Sequence, residues 1–240
     1  MGTGFEVCDS SGKVLKMSDE PLDSLSGKGY AYFTTLGSSK QNNCFQVDFH
    51  LGVDDTHMKM FVPEGKDRTV YKLHSLYNHR YYEPSLKKLP VPAVLIRHQG
   101  EAWNNPFIVI YEPYGNGAEA MLESVYVGKT KCQEGIAKVS VKYKDGKTQD
   151  HIVHAENPTL ESEYMGTKFT GTYSVVSQEG NTLKSVYIVN GKLLNRKGLS
   201  VSAADGSEFD AYLEWKDGKL YYKSNKELHI KSDVKQIVQM

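Results

Sequence analysis

Cys44-Phe-Gln-Val-Asp-Phe-His-Leu51 alternates apolar and polar residues without a break. Side chains of a strand point to opposite faces with a period of two, so Phe45, Val47, Phe49 and Leu51 share one face and Gln46, Asp48 and His50 the other. A helix would need its apolar residues to return every three or four positions. The same pattern extends on both sides. Gly29-Tyr-Ala-Tyr-Phe-Thr-Thr35 precedes it, and His57–Val62 and Arg68–His74 follow, separated by the turn signal Pro63-Glu-Gly65. Toward the N-terminus, residues 5–16 predict a short hairpin around Asp9-Ser-Ser-Gly12, and residues 17–29 a loop.

Downstream, the apolar runs 93–98 and 107–112 flank a polar loop that holds Trp103, and they predict a central hairpin that Glu112-Pro113 ends abruptly. Met121–Val127 reads as a further strand. Ile136–Tyr143 then faces His151–His154 across Lys144-Asp-Gly-Lys147, a hairpin signal whose two central residues accept φ > 0. Residues 155–167, with Pro158 and Gly166, predict a seam. Beyond it short strands follow, with turns at Glu179-Gly180, Asn190-Gly191, Asp205-Gly206 and Asp217-Gly218. About fourteen short strands with hardly a helical window predict an all-β fold, a large two-layer antiparallel β-sandwich. No 40–50-residue repeat suggests a propeller. The expected organisation is an N-terminal hairpin and loop over 1–28 and a main sandwich over 29–154. Strands over 168–232 then complete the sandwich or form a small second β-subdomain.

Composition agrees. Tyr (16) outnumbers Phe (8), and tyrosine suits half-buried pleated surfaces because its ring packs while its hydroxyl stays wet. Lys+Arg and Asp+Glu are both 29, so no global field draws in nucleic acid or an acidic membrane, and neither is expected as a partner. No apolar run approaches the ~18–20 residues that span a bilayer. The N-terminus Met1-Gly-Thr-Gly-Phe5 lacks the basic and apolar regions of a signal peptide, so the chain reads as cytosolic or, the favoured expectation, as a piece of something longer. Cys8, Cys44 and Cys132 form no C-x-x-C pair and read as free thiols. Phosphate-loop, dinucleotide and serine-elbow motifs are missing, and no cofactor is expected.

Two stretches hold chemistry. Asp48 and His50 share a strand face, and Asp54, Asp55 and His57 lie just beyond; these types assemble a metal site, or else decorate a solvated face and a polar turn. His151 and His154, three apart in a strand, point to opposite faces and make no such pair. The irregular stretch 75–92 contains Tyr77-Asn-His-Arg-Tyr-Tyr82. Breaking a uronic-acid polysaccharide by β-elimination needs a group to neutralise the carboxylate, a base for the C5 proton and an acid for the leaving oxygen. His79 and Tyr81 are the candidate catalytic groups. Asn78, Arg80 and Tyr82, with Trp103 and Arg97, are candidate ligand contacts, Arg97 also being placed to pair with Glu101. The same residues also describe an ordinary sugar-contacting surface or a packed loop. Trp215, in an alternating strand, reads as core.

The progression Gly29–Phe33, Phe45–Leu51, His57–Met60, Arg97-His-Gln-Gly-Glu-Ala-Trp103, Pro106–Tyr114 and Leu122–Val125 resembles the C-terminal β-sandwich region of heparinase II/III-like polysaccharide lyases. Val186–Gly191, Ala211–Glu214 and Tyr221–Ser224 resemble the last strands of the same proteins, so the resemblance covers roughly residues 28–232. It implies a parent protein in which an (α/α) toroid carries most of the catalytic set and acts outside the cytoplasm on acidic polysaccharide. No family catalytic residue or metal ligand matches a position here. The leading expectation is therefore a non-catalytic sandwich, with a helical catalytic domain and acidic polysaccharide as partners and a periplasmic or secreted location for the parent. Two alternatives stay open: a free-standing carbohydrate-binding module, and a small independent lyase using residues 77–82.

Overall fold

A computed structural model of the chain describes residues 4–19, 33–51, 55–75, 91–98, 100, 107–115, 117–128 and 135–240. Among them are twenty strands and no helix. The all-β sandwich class is observed; the strand number exceeds the expected fourteen because the runs 168–176 and 193–203 are each split in two and because β11 and β20 form where no strand was expected. Contacts divide the chain into two compact units that meet in sequence at Ala120 and Met121.

The first unit contains β1 (Phe5–Asp9), β2 (Thr34–Lys40), β3 (Phe45–His50), β4 (His57–Val62), β5 (Arg68–Ser75), β6 (Val91–His98) and β7 (Ile110–Tyr114). One sheet has the order β1-β3-β4-β7, the other β2-β5-β6. Their facing sides share one core: Phe5, Val7, Phe45, Val47, Met60 and Val62 from the first meet Val70, Val94 and Ile96 from the second. The period-two reading of residues 44–51 thus holds, with Phe45 and Val47 buried and His50 exposed. The N-terminal hairpin also forms: Leu15 N donates to the Val7 carbonyl at 2.8 Å, and the Asp9 carboxylate accepts from Ser11 N and Lys13 N across the turn.

The runs 93–98 and 107–112 are not a hairpin. β6 pairs with β5, from Arg68↔His98 to Ser75↔Val91, and β7 pairs with β4 in the other sheet. Val94 and Ile96 reach the core from one layer and Val109 lies beside β7 of the other. Nor does Pro113 end its strand. It sits opposite Met58 on β7, which is an edge strand, where a missing N–H leaves no ladder bond unmade.

The second unit contains β8 (Leu122–Val127), β9 (Ile136–Tyr143), β10 (Lys147–His154), β11 (Glu161–Tyr164), β12 (Thr167–Thr170), β13 (Tyr173–Glu179), β14 (Thr182–Gly191), β15 (Leu193–Arg196), β16 (Leu199–Ala203), β17 (Phe209–Lys216), β18 (Lys219–Ser224), β19 (Leu228–Ser232) and β20 (Ile237–Gln239). An eight-stranded sheet, β20-β18-β17-β14-β13-β10-β9-β8, is covered by a five-stranded one, β11-β12-β15-β16-β19. Ile152, Val176, Val186, Ile188, Ala211, Leu213 and Leu220 from the first pack on Phe169, Leu194, Val201 and Leu228 from the second, with Trp215 against this core.

The predicted seam at 155–167 is interrupted by structure. β10 pairs with β13 over seven residues, Lys147↔Glu179 to Val153↔Tyr173, so the sheet runs straight across it. The polar, Gly-containing composition that reads as a linker instead serves β11, β12 and the tight turn Met165-Gly166, where both residues have positive φ. The Asp145-Gly146 turn also differs from expectation. Only Gly146 has positive φ, Gly146 N donates to the Tyr143 carbonyl at 3.0 Å, and Asp145 Oδ1 accepts from Lys147 N. That is a type I turn closed by a glycine bulge. The two-residue geometry with both φ positive occurs at Asp217-Gly218.

Candidate functional site

The outer face of β3, β4 and β7 gathers one of the two predicted clusters. Register places His50 opposite His57, Asp48 opposite Lys59, and His57 opposite Tyr114. Alternation turns these side chains outward because Val47, Met60 and their neighbours point into the core. His57 lies between two carboxylates: Nδ1 is 3.2 Å from Asp48 Oδ1 and Nε2 3.3 Å from Asp55 Oδ1. Its ring stacks on Tyr114 with centroids 4.7 Å apart and meets His50 edge-on at 3.8 Å. The Tyr114 hydroxyl donates to Asp48 Oδ2 at 2.5 Å, and Lys59 Nζ lies 5.5 Å above the Tyr114 ring.

Partial burial, the bond to Asp48 and the negative charges of Asp48, Asp55 and Glu112 push the Tyr114 phenol far above its ordinary range. It stays protonated and donates to Asp48. Both nitrogens of His57 are occupied by carboxylates, and its side chain is only 12% exposed. Among the described residues no three His, Cys, Asp or Glu side chains converge in a way that would hold a metal ion. Asp54 lies outside the described residues.

So do Asn78, His79, Arg80, Tyr81 and Tyr82, together with Glu101 and Trp103 and the third cysteine, Cys132. Of the predicted ligand contacts Arg97 alone is described: it is exposed, on β6, opposite Thr69. His151 and His154 take opposite faces as expected. His154 is buried in the second unit with Nε2 2.8 Å from Ser162 Oγ, while His151 Nδ1 is 2.9 Å from the Tyr173 hydroxyl on the outer side. Burial lowers the pKa of both imidazoles. Cys8 and Cys44 are in no disulfide, and burial raises the pKa of the Cys8 thiol.

Sequence reading missed a polar set inside the second sandwich. Ser140 Oγ donates to Asp150 Oδ1 at 2.5 Å, and Arg196 Nη1 is 3.7 Å from Asp150 Oδ2 while donating to Thr167 Oγ1 at 2.8 Å. Lys138 Nζ donates to the Glu163 carbonyl at 2.9 Å, tying β9 to β11. These bonds hold the five-stranded sheet against one end of the eight-stranded one, and the charges lie inside the layers. The available signal was polar residues at alternate positions of paired strands, Lys138 and Ser140 on β9 and Asp150 on β10.

A family model described as the endo-acting ulvan lyase C-terminal domain matches residues 120–215, which is β8 to β17 of the second unit. The chain is also similar to an endo-acting ulvan lyase of Formosa agariphila, 26% identical over 176 residues. That alignment covers 72% of this chain and 21% of the relative, so the chain corresponds to about a fifth of that protein's length. Together with the sandwich topology, these two matches support a polysaccharide lyase C-terminal domain.

Proposed function

We propose that this chain is a non-catalytic β-sandwich module of a polysaccharide lyase, working beside a catalytic domain on an acidic polysaccharide of the ulvan type, outside the cytoplasm. The observation that carries this reading is the family match at residues 120–215 on a two-layer sandwich. The resemblance to the C-terminal sandwich of heparinase II/III-like lyases supports the same role, with the toroid of such proteins as the partner.

Lyase activity releases an unsaturated uronic-acid end that absorbs in the ultraviolet. Incubation of the purified chain with ulvan, alginate, heparin, heparan sulfate and chondroitin is expected to give no rise in that absorbance above a blank. Steady turnover on any of them, lost on His79→Ala or Tyr81→Phe, would overturn the proposal in favour of a small independent lyase.

A further inference from the structure

The outer face of the eight-stranded sheet carries three neighbouring tyrosines, Tyr173, Tyr187 and Tyr212, of which, among the described residues, only Tyr173 is tied to a neighbour, His151. Register aligns Val175 on β13, Tyr187 on β14, Tyr212 on β17 and Lys223 on β18 in one line across the strands. Tyr173 stands one step along β13, its ring edge-on to Tyr187 with centroids 6.4 Å apart. Tyr187 and Tyr212 are 46% and 38% exposed, on strands in the middle of the sheet. Neighbouring strands lie ~4.8 Å apart, so Tyr187 and Tyr212 stand side by side as a two-ring shelf on β14 and β17, with Tyr173 edge-on beside Tyr187 and off that line. Tyrosine is suited to such a shelf. Its π face takes the apolar C–H side of a pyranose and its hydroxyl reaches the sugar's own hydroxyls.

The charges beside the shelf are one-sided. Cross-strand pairing puts Lys216 opposite Lys219, Glu214 opposite Tyr221, and Tyr212 opposite Lys223, all on the outer face of β17 and β18. Three lysines thus face a single free carboxylate, Glu214. Asp210, at the end of the same face, is engaged by Asn190 N at 2.8 Å and Asn225 Nδ2 at 3.0 Å. No described carboxylate pairs with any of the three lysines, whereas Lys184 at the far turn is held by Glu179 at 2.8 Å. A neutral glycan needs only the rings; unpaired cations beside them fit a chain that bears sulfate or carboxylate groups.

We infer that this strip, Tyr173, Tyr187 and Tyr212 flanked by Lys219 and Lys223, is a docking surface for an anionic polysaccharide strand lying across β13, β14, β17 and β18. Sugar rings stack on the tyrosines, and the lysines contact the acidic substituents. The inference deepens the proposed accessory role and rests on it for the class of ligand. A module that holds substrate without cleaving it raises its concentration at a linked catalytic domain.

Affinity electrophoresis and titration calorimetry of the full chain on ulvan test the assignment. Tyr187→Ala/Tyr212→Ala is expected to weaken binding roughly tenfold or more, as loss of a stacked anchor does. Lys219→Gln/Lys223→Gln, which alters a different strand and removes no aromatic ring, is expected to weaken it as well and to flatten its dependence on salt. All four side chains lie on the outer face, so both variants should melt close to the parent chain. The assignment is overturned if both variants bind ulvan as the parent does, if a neutral polysaccharide binds equally well, or if the parent binds no polysaccharide. The last result would leave the non-catalytic reading standing, because that reading is tested by turnover alone.

Discussion

Gly128 follows β8 at the point where the eight-stranded sheet meets the edge of the five-stranded one. A methyl group there would stand 2.4 Å from Tyr164 Cε2, 2.8 Å from Cδ2 and 3.0 Å from Lys138 Cβ. Carbon atoms pack at ~3.5–4.0 Å, so Gly128→Ala demands that a ring move by about 1 Å. That ring has little room: Tyr164 is 9% exposed and belongs to the core with Ile152 and Phe169. Lys138 is fixed by its neighbours on β9 and by its bond to the Glu163 carbonyl. Gly128 does not have the positive φ that would add backbone strain, so the whole cost is overpacking, ~1–3 kcal/mol. For a chain of this size each kcal/mol is worth ~2–4 °C, and calorimetry should show Gly128→Ala melting about 2–12 °C below the parent. Tyr164→Leu removes the obstructing ring edge, so adding Gly128→Ala to that background should cost under about 0.5 kcal/mol, a coupling that a double-mutant cycle measures directly. If Gly128→Ala melts with the parent, or costs the same in both backgrounds, the contact is not what closes the sandwich at this corner.

Arg68 gives a second test. Its guanidinium is buried over Phe45 and donates to the carbonyls of Gln41 and Asn43, at 3.1 Å each. Arg68→Ala should cost ~2–4 kcal/mol in denaturant unfolding, and Arg68→Lys should recover little of it, since a point ammonium cannot reproduce the two-pronged bond. A third test uses pH. His151 and His154 have pKa values held below the ordinary 6.5 by burial, so the unfolded chain binds protons first on acidification. Stability from these groups is complete above about 6.5 and falls as pH drops from there toward the lowered values. The midpoint temperature should therefore decline between pH 7.5 and pH 5.5, and His151→Gln should shrink that decline; identical profiles for parent and variant would remove His151 from the explanation.

Local pattern was the legible part of this fold. Alternation alone placed β3, β4, β5 and β8 within a residue or two, because burial on one side of a sheet writes itself directly into sequence. Pairing was less legible. The runs 93–98 and 107–112 are neighbours in sequence with a polar stretch between them, which is the signature of a hairpin, yet Val94 and Ile96 belong to one layer and β7 to the other. No local feature distinguishes a return in the same sheet from a crossing to the opposite one, since both ask only for apolar residues on one side. The seam failed for a related reason. Turn residues such as Met165-Gly166 and linker residues have the same composition, and only the β10–β13 ladder shows which is meant. The His57 cluster was half visible: Asp48, His50 and Asp55 could be read from spacing, but Tyr114 arrives from a strand 66 residues away from Asp48.

The tyrosine strip shows where that boundary lies. Across the two-residue turn Asp217-Gly218 the register follows from sequence alone, since Lys216 must face Lys219 and counting outward puts Tyr212 opposite Lys223. Tyr187 is different. Its partner Tyr212 is reached only after the chain leaves β14, builds β15 and β16 in the five-stranded sheet and comes back as β17. Nor can Tyr187 be aligned with Tyr173 by counting from the turn after Glu179, because the ladder slips between Ser177 and Gln178. That one-residue slip keeps Val186 and Ile188 in the core and leaves Tyr187 outside. Without it the outward and inward sets of β14 would exchange places relative to β13. The bulge is therefore what lets Tyr187 stand outside beside Tyr212 while Val186 and Ile188 fill the core, and it links the packing of the second sandwich to the surface proposed to hold polysaccharide.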